Sequence, residues 1–129
     1  MRIAVDATTL LLRSAGVKNY VYYWLRSLQS RMGTDSIALF PFIRTLEEVL
    51  DHRNAPLSAG AALRLACVRF CNIRHNPVLD FWPWNADVFH ASQHLVNPPT
   101  RIPLTATIYD MTCWLLPETH EAANVIATR

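Results

Sequence analysis

The chain has 129 residues, 51% hydrophobic and 17% charged, which suits one small folded domain and excludes a disordered polymer. Twelve basic and ten acidic residues leave a net charge of +2. That balance argues against a nucleic-acid binder and leaves only a weak attraction to anionic lipid or phosphate. Cys67, Cys71 and Cys113 form no C-x-x-C pair, so buried thiols in a reducing compartment fit better than a disulfide framework.

The apolar residues after Arg2 are interrupted at once by Asp6, so the N-terminus reads as a strand and not as a signal peptide. Ile3-Ala4-Val5, closed by Asp6, has the pattern of a strand buried on both faces, as in a parallel sheet. A loop with Ser14, Ala15 and Gly16 follows. Val17, Val21, Trp24, Leu25 and Leu28 then recur at helical spacing, and Gly33 is the expected stop. "SIALFPFI" reads as a second strand whose internal Pro41 points to a sheet edge or a strand end.

Strand, Gly-containing loop, helix and strand make one βαβ unit. Leu46 to Leu50 reads as a short helix, and Leu63, Cys67, Phe70 and Cys71 share a second helical face, with Arg64, Arg69 and Arg74 elsewhere on the cylinder. "NPVLDFWPWN" is a loop or broken turn because of Pro77 and Pro83. "DVFHA" and "LTATIYD" are two further strands across a Pro-rich loop, the run Leu104 to Ile108 reading as buried. "PETHEAANVIATR" opens like a helix, with Pro117 near its start and Glu118 in the first turn. No internal repeat and no low-complexity segment interrupts this order.

The expected architecture is therefore a Rossmann-like three-layer α/β/α domain over residues 1–129, with a mostly parallel sheet of about four strands. A sheet of this kind normally continues, so the domain reads as incomplete. No run approaches the ~20 apolar residues of a membrane span, and a cytoplasmic location is expected.

Three stretches in order, "MRIAVDATTL…SAGVKNYVYYWLRSL", "DVFHASQHLVNPP" and "TATIYDMTCWLLPETH", together resemble the N-terminal, acceptor-side domain of family-4 glycosyltransferases of the GT-B fold. The resemblance runs in register through nearly the whole chain, the middle third matching only in helical character. It implies transfer of a sugar from a nucleotide-diphosphate sugar, the donor substrate, to a hydroxyl on a sugar or lipid-linked acceptor. No metal ion or other cofactor is implied. It also implies a C-terminal donor domain outside these residues, inactivity of the chain alone, and a place at the inner face of the membrane.

By the same resemblance "SAGVKNY" is the loop whose backbone N–H groups approach the donor diphosphate, with Gly16, Val17 and Lys18 as substrate-binding candidates. Lys18 stands where the family often has a second glycine, and a lysine can meet phosphate by charge. Gly16 alternatively makes only the turn into the helix. "TIYD" corresponds to a strand that in the family ends in His-Asp, making Tyr109 and Asp110 the catalytic-position candidates. Tyr109 departs from the family histidine, and a phenol with a reference pKa near 10 does not replace imidazole as a base. Asp110 either touches ligand or caps the next turn, and Glu118 matches the family's Pro-Glu.

"DVFHASQH" corresponds to the border of the acceptor cleft, with Ser92, Gln93 and His94 past the strand end as polar contacts. Ser92 and His94 are the stronger candidates. His90, inside the strand, reads as a core histidine, and Trp82 and Trp84 as packing residues more readily than sugar platforms.

Other chemistries are less well served. His90 and His94 straddle a strand end and lack the glutamate of H-E-x-x-H, so no metal site is assigned. No G-x-G-x-x-G follows the first strand, and the arginines form no basic stripe for nucleic acid. A different class of function is a non-catalytic α/β module that binds or self-associates, since an incomplete sheet offers an edge for a homo-oligomer.

Overall fold

Side chains of the first strand, β1 (Arg2–Asp6), alternate between two covered faces. In the computed structural model, which describes residues 1–12, 15–49, 58–73, 76–81, 84–92, 95–109 and 112–119, each face has its own helix. Ile3 and Val5 pack with Val21, Tyr22 and Leu25 of helix α1 (Ala15–Arg31). Ala4 packs on the opposite side with Val68 and Cys71 of helix α2 (Ala59–Cys71). A strand covered on both faces must be apolar at successive positions, which Ile3-Ala4-Val5 satisfies.

β1 pairs in parallel with β2 (Ser36–Phe40), Ala4 opposite Ala38, and with β3 (Val88–Ala91), Ala4 opposite Phe89. β4 (Leu104–Ala106) adds to β3 in parallel, His90 opposite Thr105. The order is β2-β1-β3-β4, so the expected parallel four-stranded α/β domain of Rossmann-like character is the observed one. Among the described residues no helix is long and apolar enough to cross a membrane.

Helix α1 buries the expected stripe: Val21 and Leu25 are buried, and Val17 and Trp24 pack against the same core. It starts earlier than expected, since Ala15 and Gly16 already form its first turn. The chain leaves β1 through a 3-10 turn at Thr8–Leu11 instead, so Gly16 has no left-handed turn to make. Ser14 lies outside the described residues. The helix ends at Arg31, two residues before Gly33, and Met32 N–H donates to Gln29 at 3.3 Å to tighten the last turn. Pro41 does follow the end of β2, and β2 is an edge strand.

Leu46–Val49 forms a single 3-10 turn rather than a longer helix. Helix α2 is capped by Ser58, whose Oγ accepts from Ala61 N–H at 3.1 Å. Its inner face differs from the expected one. Val68 and Cys71 are buried, whereas Leu63 and Phe70 face solvent and Arg64 turns partly inward to Glu48 at 3.0 Å. Apolar residues occur on both sides of this helix, so their spacing alone does not select the buried side. Burial, with Cys67 beside it, pushes the Cys71 thiol up to about 11, so it stays protonated and unreactive at neutral pH.

The strand expected at Leu104 to Ile108 is shorter and more open. β4 covers Leu104–Ala106, all three exposed, and Ile108 is 61% exposed. The reason is position: β4 is the outermost strand, and both core clusters lie over β1, β2 and β3. Beyond it come a short helix α3 (Thr112–Leu115) and a 3-10 turn at Pro117–Thr119. The helix expected further along the tail falls on residues outside those described.

Candidate functional site

In a parallel α/β sheet the strand ends that carry the carboxyl direction gather loops and polar side chains on one edge. Here those ends are Asp6 on β1, Ala91-Ser92 on β3 and Thr107 to Tyr109 after β4. Asp6 is 1% exposed, and it is satisfied by its neighbours. Its Oδ1 accepts from Thr8 N–H at 3.0 Å and from the Thr8 hydroxyl, and its Oδ2 accepts from the Ser92 hydroxyl. The Asp-to-residue-plus-two bond is the turn that an aspartate makes with its own chain. It bends the backbone off the strand into the 3-10 turn at Thr8–Leu11. The Ser92 bond ties the ends of β1 and β3 together.

His90 stands opposite Val5 in the register and turns toward α1, where the Trp24 ring lies 4.9 Å away. Its Nδ1 is 2.9 Å from the Thr105 hydroxyl and its Nε2 3.1 Å from the Thr107 hydroxyl. Burial holds its pKa below the usual 6.5, and the Asp6 charge opposes that shift in part. A neutral imidazole that donates to one threonine and accepts from the other satisfies both rings of contacts. His90 is thus half-buried and hydrogen-bonded at both nitrogens, outside the two core clusters, where a core position was expected.

Tyr109 is half-buried, its ring meeting Tyr20 of α1 edge-on at 5.5 Å. Burial first, then Tyr20 and Asp6, raise its pKa above the usual 10.0. At neutral pH the phenol is therefore a hydrogen-bond donor or acceptor, and not a base. Asp6, Thr8 and Ser92 form one hydrogen-bonded cluster at these strand ends, and Tyr109 follows β4 on the same edge of the sheet.

Of the residues singled out beforehand, Ser92 belongs to this cluster, and Tyr109 lies on the same edge of the sheet against Tyr20. Gly16 is exposed in the first turn of α1, with no atom within 4 Å of a Cβ built on it. Val17 packs against the core on the α1 side, and Lys18 is buried at 6% exposure. Asp110, Gln93, His94 and Trp82 lie outside the described residues. Trp84 is a packing residue: its Nε1 donates to the Leu79 carbonyl at 2.6 Å, and its ring meets Phe89 at 5.0 Å.

Asp6, Thr8 and Ser92 are all buried and satisfy one another, so what they make is a tie between the ends of β1 and β3. Ser92 donates directly to a carboxyl, and both nitrogens of His90 are engaged by threonines, so His90 does not activate the serine. Sequence reading passed over Asp6 and Thr8 as the mere end of a strand. The available signal was local: Asp6-Ala7-Thr8 right after a buried strand has the composition of an Asx turn. Its partner Ser92, 86 residues away, carries no such signal.

The chain matches no family profile, no curated protein and no solved structure.

Proposed function

We propose that this domain is the acceptor-side portion of a nucleotide-sugar-dependent glycosyltransferase of the GT-B kind, resembling family 4. On this reading it helps move a sugar from a nucleotide-diphosphate donor to a hydroxyl acceptor. The observation that carries it is the hydrogen-bonded cluster of Asp6, Thr8 and Ser92 at the carboxyl ends of parallel strands, with Tyr109 following β4 on the same edge. That is the edge on which open α/β sheets take their ligands. A carboxyl and several hydroxyls also suit the recognition of sugar hydroxyls. Tyr109 orients a hydroxyl rather than removing its proton, and the departing diphosphate is stabilised from a second domain.

Titrating a free hexose into the isotope-labelled chain tests the binding half by amide chemical shifts. Shifts confined to Thr8, Ser92 and Thr107 to Tyr109 are expected, and shifts that leave those amides unmoved would rule the acceptor role out. Nucleotide-sugar hydrolysis by these 129 residues alone should be undetectable; turnover would contradict the division of labour between two domains.

A second function is favoured by a separate observation, the exposure of β4. Among the described residues no strand pairs with the outer side of β4, and Leu104, Ile108, Leu115 and Leu116 stand largely in solvent. Such an edge suits a binding or self-associating module without catalysis.

A further inference from the structure

The α2 side of the sheet carries a cavity that glycosyl transfer leaves without a use; its wall residue Phe40 is the register partner of Asp6, whose carboxylate is taken up by Thr8 and Ser92. The cavity encloses about 550 Å³, within the roughly 300–1,000 Å³ of small-molecule sites. Its floor follows from the sheet register. Ala4 and Ala38 face each other on adjacent strands, so two methyl groups occupy a place that larger side chains would fill. α2 packs over β1 and β3, with Trp84 against Phe89, and the β2 half of this face stays open.

Three aromatic rings form the walls. Phe40 lies 5.9 Å from Trp84 in an edge-on arrangement and 6.1 Å from Phe42. Phe42 is held at φ 56°, in the left-handed region that bulky residues rarely adopt. Such a conformation persists only where its surroundings impose it. Here it keeps a half-exposed ring at the cavity wall instead of in the core.

Two cations complete the lining, Arg2 at the start of β1 and Arg44 just after the chain turns back with Ile43 bridged to Leu39. Among the described residues neither guanidinium has a hydrogen bond or an ion pair. Among the described residues that line the cavity, Arg2 and Arg44 are the charged ones and none is acidic. Asp87, next to the lining residue Ala86, accepts from the Arg2 backbone N–H at 2.7 Å, and Asp35 holds the N-terminal amine. Two guanidinium groups thus stand beside an apolar, aromatic body.

We propose that this cavity binds a small organic anion with a flat apolar body. The flat part lies over Ala38 between Phe42 and Trp84, with the edge of Phe40 behind it, and the acid group meets Arg2 and Arg44. Guanidinium groups suit planar carboxylate, phosphate or sulfonate groups because their donors form a rigid fork.

The probe for the test is 8-anilinonaphthalene-1-sulfonate, measured by calorimetry on the folded chain. N-phenyl-1-naphthylamine, the same rings without the charge, is the control. One saturable site is expected, weakened roughly tenfold by Arg44→Gln, as for loss of a charge-assisted contact. Ala38→Leu, which raises the floor, should remove binding, and the uncharged probe should bind more weakly than the sulfonate. Arg44 is exposed, so its variant keeps the fold and decides the matter even where Ala38→Leu does not fold. Absence of saturable binding, equal affinity for the two probes, or affinity unchanged by Arg44→Gln overturns the proposal.

Discussion

Asp6 combines deep burial with three accepted hydrogen bonds, and that makes it costly to remove. Asp6→Ala strands the hydroxyls of Thr8 and Ser92 inside the protein. A loss of about 2–3 kcal/mol follows from unmade bonds to a charged group and unsatisfied partners. Asp6→Asn keeps an acceptor oxygen and should cost less; urea denaturation of the two variants measures the order. His90 is the other residue with a defined signature. Its folded pKa lies below the usual 6.5 because burial disfavours the cation. The unfolded chain then binds more protons as pH falls past that value, so stability drops on acidification and is fully present above it. His90→Asn removes this part of the dependence, and the difference between the two denaturation-versus-pH curves isolates it from the other histidines. Neither residue's partners were legible from the chain, since Asp6 meets Ser92, and His90 meets Thr105 and Thr107, only across paired strands.

Among the elements, strand position governs what a side chain contributes. Phe89 on β3 is fully buried between Ala4 and the α2 layer, whereas its register partner Leu104 on β4 is 48% exposed. Phe89→Ala should therefore destabilise by about 3–5 kcal/mol, while Leu104→Ser should stay within roughly 0.5 kcal/mol. Thermal or urea unfolding distinguishes these by a wide margin. The same contrast explains what was legible. Helix α1 showed itself because Val17, Val21, Trp24, Leu25 and Leu28 all fall on one side of the cylinder. β1 and β2 showed themselves as apolar runs closed by Asp6 and Pro41. β4 has an equally apolar run, but a run does not say whether its strand is central or outermost. On α2, Leu63 and Phe70 carry the same hydropathy as the buried Val68 while facing outward.

For the molecule as a whole, the sheet order leaves β4 without a partner on its outer side among the described residues, and Leu104 and Ile108 there are exposed. Edges of this kind recruit further strands unless charge or proline blunts them. The mass in solution should accordingly rise above the 14.7 kDa of one chain as concentration increases. Thr105→Lys should return it toward one chain, read by sedimentation or light scattering. A concentration-independent monomer would leave β4 without that role. Fold class was legible at this scale because alternating strand and helix patterns admit few layer arrangements. The strand order was not, because β1 takes a neighbour that arrives late in the chain.

That late arrival has a consequence in time. β1 ends at residue 6, β2 begins at residue 36, and the strand that closes the other flank of β1 begins only at residue 88. At about 5–20 residues per second of synthesis, the open flank of β1 waits on the order of 4–16 s for β3 after β1 itself has been made. Until then Asp6 has no Ser92 to meet, and Ala4 no Phe89 beside it. The nascent chain therefore passes through a stage in which its innermost strand is an edge, and Phe89→Ala and Asp6→Ala act on the step that ends it.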